Sequence, residues 1–389
     1  MCGRCLRIGS DCSLADQRPG LVFVVESYTS EPSVVTETTS GVGERRSSTT
    51  TSADVPAEDP TPQISETASP VTDLSFADTE RDNLRLMHHF TLHTSKTIRD
   101  ITIPKHEDQS LWEAWAPELA MEHDFLLHGL LGISALHLAL CATDPQERQH
   151  RTVTAIQHHD RGLALFRPRL GRITAANNDA VFAMFCLVVF HAFGIQRSGD
   201  APVERLRQVL TLLRGSMAIA KGDYERMRRS RWSALRPPLP FGLALRLPDE
   251  MEDALSALQR GVGRTTSSSA VDAGTAEDET VYARSIEALR ENLLVAHLFP
   301  FTAPALMLFP MGSPDAYWDL LRAGRPLALA IIANYSVILH RQRVNIWMGD
   351  WGKVVVEAVG QALPQEWREC IAWATREIAE HNASPQARQ

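Results

Sequence analysis

Catalytic signatures are missing from these 389 residues: there is no G-x-S-x-G turn, no phosphate-binding P-loop, no dinucleotide fingerprint and no H-E-x-x-H helix. With no nucleophile or acid–base pair to nominate, an enzyme is not expected. Self-similarity at a period of about 20 to 50 residues is absent as well, which argues against a solenoid. A charged-then-apolar leader does not open the chain. The longest apolar stretch, Ala180 to Ile195, is short and interrupted by His191, so the expectation is a chain that is neither secreted nor membrane-spanning. Cysteine is scarce, with six in all; Cys141, Cys186 and Cys370 are scattered among apolar neighbours and read as buried, reduced thiols rather than a disulfide framework.

What is present points to helices. Aromatic and β-branched residues do not gather into alternating runs, whereas Leu, Ala, Arg and Glu recur at three- and four-residue spacing. An all-α fold follows, and 44% apolar residues can supply its core. The formal net charge of −8 is unevenly spread: residues 13–80 hold twelve acids against three Arg, which leaves residues 81–389 close to neutral. A neutral body offers no general attraction to DNA or an anionic membrane, so any DNA contact has to be local.

Between Ser27 and Pro70, Ser and Thr fill 18 of 44 positions, a composition that buries too little apolar surface to offset the entropy of ordering. Residues 15–80 are therefore expected to be a disordered acidic linker, and the polar tract 261–280 a flexible insertion within a helical body spanning 81–382. Helix starts are expected at Ser110 with Glu113 as a capping box, at Asp144–Pro145, at Ser313–Pro314, at Pro326, after Asp350 and at Pro364. The runs Phe125 to Leu140 and Asn177 to Phe193 are apolar on nearly every face. Such helices must be buried, the second with Asn178 or Asp179 as its cap.

The first fourteen residues contain Cys2, Cys5 and Cys12 as C-x2-C-x6-C. Thiolates two residues apart can grip one tetrahedral ion, yet three leave a coordination position open. CGRCLRIGSDCSL closely resembles the second half of the fungal binuclear zinc cluster, in which six cysteines share two zinc ions. By that resemblance Cys2 is a bridging thiolate, and Cys5 and Cys12 are terminal ligands. The first half, which in that family carries the basic helix that reads base edges, is absent, so specific DNA binding is expected only with that half restored. Either the sequence begins inside a longer protein or the gene has lost its DNA-reading half.

The resemblance continues through LRLMHHFTLHTSKTI, LWEAWAPELAMEHDFLLHGLLGISALHLAL, PLALAIIANYSVILHR and WMGDWGKVVVEAV, which look like the regulatory domain of fungal zinc-cluster transcription factors of the sterol-uptake-control type. It implies a nuclear transcription regulator that self-associates, and a C-terminal apolar pocket for a sterol or other lipid, with a cytoplasmic location when ligand is bound. Apolar residues suited to such a pocket are Phe299, Phe301, Leu306, Leu327, Ile331, Tyr335, Leu339, Trp347 and Trp351, although apolar residues at helical spacing more often form plain core. A ligand-free dimerisation or co-regulator scaffold is the alternative. His88, His89, His123, His128, His137, His158, His159 and His191 have no metal-binding spacing along the chain and read as core or cap residues. The basic run Arg226 to Arg236 reads as a solvated helix end.

Overall fold

The chain is helical throughout the residues that the computed structural model describes, which are 71–103, 110–197, 199–221, 229–235, 246–267, 276–300 and 302–383; no strand occurs among them. They belong to one unit, Ala68–Gln389. Helix α1 (Val71–His89) passes through a π-helical turn (Phe90–Thr94) into α2 (Ser95–Thr102), and a second π-turn (Leu111–Trp115) leads into α3 (Ala116–Glu122). Next come α4 (Asp124–Cys141), α5 (Pro145–Phe166), α6 (Asn178–Ile195) and α7 (Pro202–Lys221). After these follow α8 (Asp249–Ser267), α9 (Ala276–Leu298), α10 (Ala303–Gly312), α11 (Asp315–Arg322), α12 (Pro326–Arg341), α13 (Trp351–Ala362) and α14 (Ala372–Ala383).

Two of these helices have no polar face. In α6 every residue from Ala180 to Gly194 is buried, and α4 buries twelve of its eighteen. Both are long and apolar enough, by length and composition, to cross a membrane, so Ala180 to Ile195 is not too short, as first expected. Protein already covers 67% of α4 and 78% of α6, however, as in a core helix. α4 lies along α5 and touches α1, α3 and α6; α12 is surrounded in the same way by α8, α9, α10, α13 and α14.

Local chemistry explains which of the expected helix starts hold. Asp144 caps α5 as its sequence suggests, accepting from the Gln146 and Glu147 amides at 3.3 and 3.2 Å, with Pro145 in the first turn. Pro326 opens α12, and Pro364 leads into the 3-10 turn Gln365–Ile371 before α14. Elsewhere other partners take the capping side chains. Ser110 makes no cap bond and accepts from Arg231, while Glu113 pairs with Arg99. Ser313 turns back to donate to Phe309 O at 2.7 Å, so α11 starts at Asp315. Asp179 accepts from the Ser230 hydroxyl at 2.6 Å, and the N-cap of α6 is Asn177. Asp350 makes no cap bond to α13 and faces Arg197 at 3.6 Å.

Three further expectations need correction. Helix α1 starts at Val71, inside the 15–80 tract expected to be linker. The 261–280 tract is helical at both ends, in α8 to Ser267 and in α9 from Ala276; a Cβ at Gly261 would sit 3.0 Å from Leu327 and 3.2 Å from Trp367, so α8 there is packed against the core. Cys186 and Cys370 are buried thiols, but Cys141, in the last residue of α4, is exposed. Of the Arg226 to Arg236 run, the described Arg231 lies over the Trp115 ring at 4.9 Å, an ordinary surface stacking contact.

Gly352 sets the spacing of the C-terminal layer. A Cβ there would meet Ser336 O at 2.4 Å and His340 N at 2.5 Å, so α13 crosses α12 backbone to backbone. Gly352→Ala should therefore lower the urea-unfolding stability by about 3 kcal/mol or more. Gly215→Ala, in α7 with nothing within 4 Å of the added methyl, should raise it by about 0.5–1 kcal/mol. Equal effects at the two sites would contradict the backbone crossing.

Candidate functional site

One face of α6 borders a cavity. Phe182, Phe185, Cys186, Val189, Phe190 and Phe193 follow the helical repeat along that face; Ile101 and Thr102 of α2, Leu213 of α7, Ala303, Leu306 and Met307 of α10, and Met348 complete the lining. The space amounts to about 40 Å³ and exposes only apolar surface. Thr102, the one lining residue with a hydroxyl, is occupied: it donates to Ile98 O at 2.8 Å and accepts from Trp112 Nε1 at 3.0 Å. Burial pushes the Cys186 thiol up to about 12, which favours the protonated, unreactive form. The cavity can hold a hydrocarbon group but offers no acid–base chemistry.

The wall formed by α10 is built unusually. Pro310 lies inside the helix and has no N–H for Leu306 O, the carbonyl one turn back. Tyr335 Oη on α12 donates to that carbonyl at 2.8 Å. One rung earlier, the buried Asn292 of α9 inserts between Ala305 and Phe309, donating to Ala305 O and accepting from Phe309 N, each at 2.7 Å. Two successive rungs of α10 are thus supplied by side chains of neighbouring helices. Full burial raises the Tyr335 pKa well above its ordinary value, so the hydroxyl remains a donor. On the other side, Trp351 Nε1 donates to Phe193 O at 3.0 Å, and the two rings meet edge to face.

Of the residues expected from the sequence to line a pocket, Leu306 borders this cavity. Tyr335 and Trp351 stand behind its walls and hold the carbonyls of Leu306 and Phe193. Leu327, Ile331 and Leu339 are fully buried on α12, and Trp347 is fully buried with its Nε1 bonded to Thr97 Oγ1 at 2.9 Å. Phe299 is partly exposed at the end of α9, and Phe301 lies outside the described residues. The five aromatic and sulfur-bearing residues contributed by α6 were visible only as part of a core helix. Cys2, Cys5 and Cys12 also lie outside the described residues. Among the described residues no group of three or more His, Cys, Asp or Glu is arranged to hold a metal ion.

Residues 85–225 match the model of the fungal specific transcription factor domain. This segment of the chain belongs to that family. The matched segment contains α2 to α7 and all six cavity-lining residues of α6. Among curated proteins, the chain is 27% identical over 278 residues to the Zn(2)-C6 fungal-type transcription factor afumD of Aspergillus fumigatus, covering 65% of this chain and 66% of the relative. It is 26% identical over 318 residues to a Zn(2)-C6 fungal-type transcription factor of Gibberella zeae, covering 75% of this chain and 61% of the relative. A shorter match, 33% identical over 107 residues, links it to Sterol uptake control protein 2 of Candida albicans, with 28% of this chain and 14% of the relative covered. The matches to the first two relatives thus span less than two thirds of their length.

The substitution of the two α10 rungs gives a quantitative test within this domain's neighbour. Tyr335→Phe should cost about 1–3 kcal/mol by leaving Leu306 O without a donor. In the Tyr335→Phe/Pro310→Ala double variant the restored N–H can reach that carbonyl, so the double should lose less than Tyr335→Phe alone in urea titrations. Additive losses would show that Leu306 O is not the shared partner.

Proposed function

We propose that the protein is a zinc-cluster-type transcription regulator whose helical body responds to an apolar ligand. The match of residues 85–225 to the fungal specific transcription factor domain carries the regulatory part of this reading, and the names of the two longest-matching relatives support it. DNA would be the nuclear partner, reached through a zinc cluster. Cys2, Cys5 and Cys12 supply three thiolates for it, which fits part of one tetrahedral site and falls short of the six needed for two shared ions. The second half of the cluster therefore holds no complete site by itself. Self-association into a homodimer belongs to the same reading.

The ligand part rests on the apolar cavity between α6, α7 and α10 and on the similarity to a protein named for sterol uptake control. A ligand that prefers one packing of α10 against α6 would shift the balance between two states of the body by its difference in affinity for them. A specific observation also favours the ligand-free scaffold: about 40 Å³ holds roughly three waters, whereas small-molecule pockets run to about 300–1,000 Å³. Binding of a whole sterol thus requires the cavity walls to move apart.

Thermal unfolding of the full chain with ergosterol, cholesterol and long-chain alcohols separates the two readings. The receptor reading expects a rise in Tm of a few degrees with at least one of them, lost in Val189→Phe, which fills the cavity. A flat response across the panel leaves the scaffold. Zinc content is a separate measurement: the chain as given should hold less than one tightly bound zinc, and two or more would overturn the incomplete-cluster assignment.

A further inference from the structure

Six histidines that have no metal-binding spacing along the sequence meet in three pairs across helix boundaries. His89 Nε2, at the end of α1, lies 3.2 Å from His137 Nδ1 on α4, and Thr94 Oγ1 from the adjoining π-turn reaches the same Nδ1 at 2.9 Å. His128 Nδ1 on α4 lies 3.0 Å from His158 Nδ1 on α5. His159 on α5 stacks on His191 of α6 with ring centroids 3.7 Å apart and planes 2° from parallel. In order, the pairs join α1 to α4, α4 to α5, and α5 to α6.

Each N···N pair needs at least one neutral ring. An N···N contact needs one imidazole to donate and the other to accept, so a second proton removes the accepting lone pair and sets two N–H groups against each other. The stacked pair is less tolerant still. His191 Nε2 is buried with no hydrogen-bond partner in the protein, so a charge placed there would have no counter-ion beside it. We propose that the three pairs form a proton-operated latch, which holds α1, α4, α5 and α6 together while the rings are neutral and opens from the α5–α6 joint when protons are taken up.

The surroundings mostly oppose charging. His89 faces Arg151, His88 and His93, and His137 faces His93 together with the Trp347 ring at 5.8 Å. Arg161 acts against a charge on His128, where Asp124 favours it; Asp82 favours a charge on His158. His159 and His191 have no carboxylate acting on them. Burial is the main cause in every case: it lowers His89, His137 and His159 to about 4, sends His191 well below its ordinary value, and lowers His128 and His158. Because the folded-state values lie below the unfolded value of 6.5, the unfolded chain takes up more protons between about 6.5 and 4. Stability contributed by these rings is complete above that window and is lost as the pH falls through it. The latch is independent of any ligand in the cavity.

The test compares Tm of the full chain from pH 7 to pH 5 with that of His159→Phe/His191→Phe, which keeps a ring stack and removes both protonation sites. Wild type should lose about 10 °C over this range, and the double variant about a third less, since two of the six titrating rings are removed. If the double variant fails to fold, hydrogen exchange of the wild type read by mass spectrometry decides: peptides of α5 and α6 should lose protection at a higher pH than those of α12 and α13. A Tm unchanged down to pH 5, an identical pH profile in the variant, or first loss of protection in α12 would each overturn the latch.

Discussion

A helix with no polar face has to be enclosed from every side, and α6 imposes that condition on the body around it. From Ala180 to Gly194 no position can be left to water, so α3, α4, α7 and the segment around Trp347 and Trp351 are fixed by the need to cover it. Each buried Phe or Leu contributes about 1.5–3 kcal/mol when fully removed from water, so α6 alone carries a large part of the favourable burial. The cavity lies where this enclosure is incomplete: a helix that presents phenylalanine at three- and four-residue spacing needs a smooth partner surface, and the short α10 does not provide one.

The interruption of α10 illustrates how a helix is kept at the price of help from outside. Proline removes a donor and a wedge-like asparagine removes a second rung, and in an isolated helix these losses would unwind it. Here α9 and α12 supply the missing groups. The geometry of α10 consequently depends on the relative placement of two other helices, whereas α4 and α6 have no proline within them. Among the cavity walls it is the element whose position is set by its neighbours.

Much of the architecture was legible in the sequence because buried helices announce themselves. The runs Phe125 to Leu140 and Asn177 to Phe193 could not be surface helices, and the proline at Pro326 marked a helix start without ambiguity. Caps were harder to read: Ser110, Ser313 and Asp179 have the right chemistry, but their oxygen atoms are used by Arg231, Phe309 O and Ser230, and two of those three partners are more than fifty residues away. The site was harder again. An apolar side chain beside a void and one against a neighbour need the same residue types, so Leu306 and Leu327 look alike until the helices are placed. Tyr335 and Trp351 stood out as large aromatics, but their hydroxyl and indole N–H serve backbone carbonyls, a role that requires knowing which carbonyls α10 and α6 leave available. The histidines were likewise visible, and only their register across helices makes them pairs.

The crossing at Gly352 has a mechanical consequence. At Gly352 no side chain separates α12 from α13, so the two backbones bear directly on each other and neither helix can advance on the other at that point. α12 carries Tyr335, bonded to the wall at Leu306, and α13 begins with Trp351, bonded to the end of α6 at Phe193. The two helices that meet there without a cushion are thus each tied to one side of the cavity.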